Sequence, residues 1–164
     1  MGPSSDEFQV DPSNNCPFNI LNHIVSLSFK KFNRTPVYTD NIQLTSTKEF
    51  DNSVVHTYES ILKPVFINVV NNAVYRLASA DKKTIHLTYE EDSYLIMNSG
   101  QPIDGVYIKE DIFKLFFSRK PKGRGIGLYL AKTTLNSIGF DIIASNDKKY
   151  NRLNGACFII RKVK

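Results

Sequence analysis

Cysteine is scarce in this 164-residue chain: there are only Cys16 and Cys157. Two thiols so far apart make neither a metal-ligand spacing nor a disulfide framework. A zinc site would need more ligands than the sequence groups together, so both read as unpaired thiols in a reducing compartment. No stretch approaches the roughly 18 consecutive apolar residues of a membrane span. The opening residues are polar and acidic rather than basic and then apolar, so no secretory leader is expected there. A cytoplasmic location is expected, with no membrane contact by this part of the chain. Also missing are an internal repeat, a low-complexity segment and the Gly-x-x-x-x-Gly-Lys-Ser/Thr phosphate loop, which rules out a Walker-type site.

What is present is the composition of a folded domain. Hydrophobic residues make up 41% and charged residues 23%, near the globular average, and the length is enough for one domain with its own core. The net charge is +5, from 21 Lys and Arg against 16 Asp and Glu. Much of the excess sits in residues 119–124 and 161–164. A basic balance fits nucleic acid, an anionic surface or a bound polyphosphate such as ATP. The first cluster lies among glycines, which favours the phosphate reading, and no nucleic-acid partner is expected.

Residues 1–17 are rich in Ser, Asn, Asp and Pro and read as a flexible tail, leaving 18–164 as the folded domain. Residues 18–32 are compatible with a helix ended by Asn33-Arg-Thr-Pro36. Ile42–Ser46 alternates as a strand, and 48–53 reads as a turn-rich link. Ile61, Leu62, Val65, Phe66, Val69, Val70, Ala73 and Leu77 mark one side of a strong helix, which either begins at Pro64 or is kinked there. Residues 84–89 and 93–97 form a hairpin across Glu90-Glu91-Asp92. A loop follows over 98–105, then a short helical piece over 109–117, a basic loop over 118–124, and a second helix over 126–138 ended by Gly139. Strands over 140–145 and 156–161 are joined by a polar turn region. This order predicts an α/β (α+β) two-layer sandwich: a mixed, mostly antiparallel sheet covered on one face by helices.

Three constellations carry chemistry. Asn68 and Asn72, four apart on the strong helix, point the same way at the edge of its apolar side. An amide oxygen is a neutral, hard ligand suited to Mg²⁺ already held by phosphates, and Tyr75 and Arg76 follow within reach. An ordinary amphipathic helix with polar borders would carry the same pair. Asn98-Ser-Gly100-Gln-Pro-Ile103 directly follows a strand; Gly100 permits close backbone approach, and Asn98 offers both a donor and an acceptor to a base edge. A plain turn reads the same way taken alone. The sharpest local signal is Phe116-Phe117-Ser-Arg119-Lys120-Pro-Lys122-Gly123-Arg124-Gly125-Ile126-Gly127-Leu128, three alternating glycines before a helix. Free N–H groups at a helix start make an anion site, and the basic side chains bring charge to it. The spacing is wrong for a dinucleotide fingerprint.

In that order, within about sixty residues, these motifs resemble the histidine-kinase-like (Bergerat, GHKL) ATPase domain shared by histidine kinases, gyrase B and MutL, and look most like the catalytic ATP-binding domain of bacterial histidine kinases. The resemblance covers roughly residues 41–163: 64–75 looks like the N box, 98–103 and 123–128 like the two glycine boxes, and 112–117, ending at Phe117, like the F box. It implies a short lid over bound ATP and Mg²⁺. Asn72 would be the metal ligand, joined by Asn68, and Tyr75, Arg76 and Ile103 would lie near the nucleotide. Asn98 would stand where the family usually has the Asp that accepts from the adenine amino group, and its amide oxygen can still accept. Gly123, Gly125 and Gly127, with Ile126 and Leu128, would cradle phosphates, and Lys120 and Arg124 would contact the β- and γ-phosphates, with Arg119 a further candidate. Asn68 takes the position of a catalytic glutamate in the gyrase relatives. An amide cannot act as a general base, which fits phosphoryl transfer to a protein better than fast hydrolysis. None of His23, His56 and His86 sits in a phosphoacceptor pattern, so the acceptor, or alternatively an effector gated by ATP-driven closure, would lie outside this chain.

Overall fold

The computed structural model describes residues 16–17, 42–55, 57, 59–109, 111–115, 117 and 126–163. The expected helix over 18–32 and the basic loop over 118–124 lie outside them. A five-stranded sheet runs in the order β2-β4-β5-β7-β6, built from β2 (Ile42–Ser46), β4 (Lys83–Glu90), β5 (Ser93–Asn98), β6 (Phe140–Ala144) and β7 (Cys157–Lys162). β2 pairs parallel to β4, with Leu44 opposite Ile85; the other pairs are antiparallel. The fold is the expected mixed, mostly antiparallel α/β sandwich. A separate two-stranded pairing joins β1 (Cys16–Pro17) to β3 (Val54–Val55), so the last two residues of the expected tail lie against the domain.

The β4–β5 hairpin follows from its alternation. Ile85, Leu87, Tyr94 and Ile96 alternate into the main core, while Leu95 and Met97 point to the opposite face. Glu91 and Asp92 make the turn with φ of 51° and 57°, the left-handed pair that matches strand twist in a two-residue hairpin.

Three stretches differ from the sequence reading. Residues 48–53, read as a turn-rich link, contain helix α1 (Lys48–Asn52). Thr47 caps it by accepting from the Phe50 N–H at 3.3 Å, and Phe50 is wholly buried. One capped turn with one anchor is too short for a 3.6-residue period to appear. Helix α2 (Glu59–Leu77) begins five residues before Pro64, whose ring is exposed. Of the helical piece expected over 109–117, the described residues hold a 3-10 turn at Asp111–Phe113.

α2 is the spine of the helical layer. Leu62, Val65, Phe66, Val69, Val70, Ala73, Val74 and Leu77 are all buried. α3 (Gly127–Ser137) packs on it, burying Ala131 and Leu135. Fully burying side chains such as Leu62, Phe66 and Leu77 on α2 and Phe158 on β7 contributes roughly 1.5–3 kcal/mol each. The far face of the sheet carries a smaller apolar cluster, Leu95, Met97, Cys157 and Ile159, with Ile143, Tyr150 and Leu153 packed on it. Among the described residues no helix is long and apolar enough to cross a membrane.

Candidate nucleotide-binding site

α2 presents two turns of polar groups beside its buried stripe, and each meets a different loop. Asn68 meets the start of α3: a Cβ built on Gly127 would lie 3.4 Å from Asn68 Oδ1. That helix start has no side-chain cap; its cap residue is Ile126. Its first N–H groups, together with the helix dipole, therefore suit an anion. Ile126 and Leu128 are half-buried on either side, with Leu128 against the core.

One turn later, Asn72 is 7% exposed, and its Oδ1 accepts from Arg76 Nε at 2.9 Å. Arg76 Nη1 goes on to donate to the Gln101 and Pro102 carbonyls at 3.1 and 3.2 Å. The Arg76 carbonyl in turn accepts from the Gln101 N–H at 3.0 Å. Burial lowers the Arg76 pKa from its ordinary value, an effect that Tyr75 partly opposes. The loop after β5 comes so close to α2 that a Cβ on Gly100 would fall 2.2 Å from the Arg76 carbonyl oxygen. No residue but glycine fits there without displacing backbone.

Asn98 ends β5 on the helix-facing side and is wholly buried. Its Oδ1 accepts from the Gly100 N–H at 2.9 Å and the Ala156 N–H at 3.4 Å, so the amide oxygen expected to serve a base is already engaged by backbone. Its Nδ2 has no partner among the described residues. Ile103 is buried in the main core, and its carbonyl accepts from Asn146 Nδ2 at 3.0 Å. Phe117 stacks obliquely on Tyr107, ring centroids 5.2 Å apart. Tyr75 is half-buried on α2. Arg119, Lys120, Gly123, Arg124 and Gly125 lie outside the described residues.

Sequence reasoning missed two residues that hold this site. Ser99 Oγ accepts from the Thr84 N–H at 2.9 Å and donates to the Lys82 carbonyl at 2.6 Å, pinning the loop to the start of β4. Gly155 backs onto Asn98: a Cβ there would lie 2.0 Å from the Asn98 carbonyl oxygen and 2.7 Å from Oδ1. Asn151 Nδ2 donates to the Gly155 carbonyl at 2.6 Å. The one signal for Gly155 in the sequence is a glycine just before the last strand, which a plain turn also explains.

What the arrangement can hold follows from these donors. The open start of α3 suits a polyphosphate. Asn72 Oδ1 keeps one lone pair beyond the bond from Arg76, enough for one place on a magnesium ion otherwise held by phosphates and water. Among the described residues no three His, Cys, Asp or Glu side chains gather into a metal site, so a metal would depend on the phosphates. The residues fit a nucleotide with its magnesium.

This fold is that of a histidine-kinase-like ATPase domain, and the comparisons with known proteins agree. The catalytic domain of histidine kinase ThkA, in a nucleotide-free form, superposes with a TM-score of 0.66 at 27% identity, covering 92% of this chain and 96% of that one. The mycobacterial sensor histidine kinase MprB gives 0.65 at 20% identity, over 87% and 96%. The Acinetobacter baumannii histidine kinase AdeS gives 0.60 at 19%, over 92% of this chain and 66% of that one. In sequence, 99 residues are 32% identical to the signal transduction histidine-protein kinase AtoS of Escherichia coli K12, over 57% of this chain. The chain spans 16% of the length of that relative. No protein-family profile matches the chain.

Proposed function

We propose that this domain binds ATP-Mg²⁺ and serves as the catalytic ATP-binding domain of a protein-histidine kinase, passing the γ-phosphate to a histidine outside this chain. The observation that carries the proposal is the convergence of two separated motifs on the polar edge of α2: Gly127 against Asn68, and the loop that begins at Asn98 bonded to Arg76, which also holds Asn72. An ordinary amphipathic helix would have no reason to tie a glycine-flanked helix start and an Asn-x-Gly loop to the same polar edge.

Each residue has a role in this reading. The first N–H groups of α3 and the Gly123, Gly125 and Gly127 backbone bind phosphates, and Lys120 and Arg124 neutralise the β- and γ-phosphates from the lid. Asn72 offers its free lone pair to the metal, with Asn68 beside it. Bound magnesium would neutralise charge developing between the transferred and leaving phosphates. Asn68 holds no proton-accepting group for a water, so hydrolysis is slow and the phosphoryl group waits for a positioned imidazole. Arg76 fixes the distance between the metal edge and the base loop. The partner is a phosphoacceptor domain, which places the work in two-component signalling, and the domain acts in the cytoplasm.

Calorimetric titration with a non-hydrolysable ATP analogue, with and without Mg²⁺, tests the first half. Micromolar to sub-millimolar binding that improves with Mg²⁺ is expected, and no binding refutes the site. Transfer of label from γ-³²P-ATP to a histidine-bearing helical domain tests the second half. Mg²⁺-dependent binding without any transfer would favour an ATP-gated conformational switch instead.

A further inference from the structure

A carboxamide offers one acceptor atom and one donor atom, and in Asn98 the backbone dictates which of them is left without a partner. Two N–H groups, those of Gly100 and Ala156, converge on its oxygen at 2.9 and 3.4 Å. Backbone N–H groups can only donate, so turning the amide over would set donors against donors. Gly155, in backbone contact with the Asn98 carbonyl, closes the space on that side. The amide is locked with Oδ1 on the two backbone donors, and Nδ2 is buried with no partner among the described residues. A buried donor left unmade is costly and marks where an incoming group would be rewarded. Asn98 lies on the helix-facing side of β5 with Tyr94 and Ile96, at the start of the loop that Arg76 ties to α2.

A carboxylate at this position would accept on both oxygens and suit the exocyclic amine of adenine. A locked amide does the reverse, presenting N–H to the base edge, where adenine also presents N–H. An oxygen at position 6 of the purine meets that donor directly. We infer that Asn98 makes this a pocket for a 6-oxopurine nucleoside triphosphate, of the inosine or guanosine class, in preference to ATP. The inference rests on the nucleotide site proposed above and specifies its base. ATP still enters through its phosphates and ribose, at lower affinity.

The test measures equilibrium affinities of the native chain for the non-hydrolysable triphosphates of inosine, adenosine and unsubstituted purine riboside. The last carries neither donor nor acceptor at position 6. The expected order is inosine, then purine, then adenosine, with about tenfold between first and last, the worth of one hydrogen bond made against one left unmade. Asn98→Asp should reverse that order while keeping the backbone bonds to one carboxylate oxygen. Equal affinities for all three, or adenosine first in the native chain, would overturn the assignment of Asn98 while leaving the nucleotide site standing. The native order is informative even if the variant is too unstable to use. Absence of binding by any of the three would overturn both the base preference and the nucleotide reading.

Discussion

Replacing Gly100 with alanine tests whether the loop after β5 and helix α2 are one rigid unit. The added carbon would sit 2.2 Å from the Arg76 carbonyl oxygen, 2.5 Å from its carbon and 2.9 Å from the Leu77 nitrogen, where non-bonded heavy atoms need about 3.5 Å. All three obstacles are helix backbone, so no side chain can rotate aside, and the loop must retreat by roughly 1 Å. That retreat strains the Gln101 N–H bond to Arg76 O and both bonds from Arg76 Nη1 to the loop. Overpacking of this kind costs about 1–3 kcal/mol. The weakened hydrogen bonds, two of them exposed, add on the order of 1 kcal/mol. A loss of about 2–4 kcal/mol corresponds to a fall in Tm of roughly 5–15 °C for a domain of this size. Gly105→Ala is the control, because a Cβ there has nothing within 4 Å and should change stability by under about 0.5 kcal/mol. Urea melts of the two variants give the comparison. If Gly100→Ala is as stable as Gly105→Ala, the loop is not clamped to α2 as described.

Asn72→Ala should remove the Mg²⁺ dependence of nucleotide affinity, while losing the acceptor of the Arg76 Nε bond costs about 1 kcal/mol of stability; affinity that still responds to Mg²⁺ would argue against Asn72 as the ligand. Burial pushes the Cys157 thiol up to about 12, so in a Cys16→Ser chain a thiol reagent at pH 8 should label nothing until urea is added; rapid labelling of the folded chain would contradict that burial. The Arg152 guanidinium, bonded to both Glu90 oxygens at 2.7 and 2.8 Å, holds the Glu90 carboxyl below its ordinary 4.5. A depressed folded pKa stabilises above the ordinary value and is lost as pH falls through the depressed one. Arg152→Ala should therefore cost stability at neutral pH, less than about 1 kcal/mol for a pair this exposed, and the urea midpoints of variant and native chain should converge in acid. A gap unchanged by acid would mean that the loss is packing rather than charge.

The parts of the fold legible in the sequence are those whose pattern repeats. β2 spans the residues that its alternation marked, and α2 buries the stripe that its spacing marked, because burial against a single layer imposes a period on a long enough segment. Helix α1 had no period to show, and Phe50, its anchor, stands alone among polar neighbours. The parallel pairing of β2 with β4 depends on where the chain returns after α1 and α2, which no local pattern encodes. At the site, the sequence showed Asn68 with Asn72, Asn98 and Gly127 as three separate constellations grouped by their resemblance to one family, and the structure brings Asn68 to Gly127 and ties Asn72 through Arg76 to the loop after Asn98. Which end of the Asn98 amide faces inward was not legible. It is decided by the Gly100 N–H together with the Ala156 N–H, 58 positions away, and by a Gly155 whose importance lies in what it backs onto.

Asn98 and Ala156 also bond through their backbones, Asn98 N–H to Ala156 O at 3.0 Å, so the loop after β5 departs from a clasp against the residue that leads into β7. For a flexible loop, the entropy of closure grows only with the logarithm of its length, about 0.6 kcal/mol for each doubling. A surface loop beyond the clasp can therefore be lengthened or shortened at little thermodynamic penalty, while the clasp keeps the Asn98 amide where it is. In the nucleotide reading proposed above, the fold thus separates two dials: how the polyphosphate is covered, which is free to turn, and which base is read, which is bolted to the sheet.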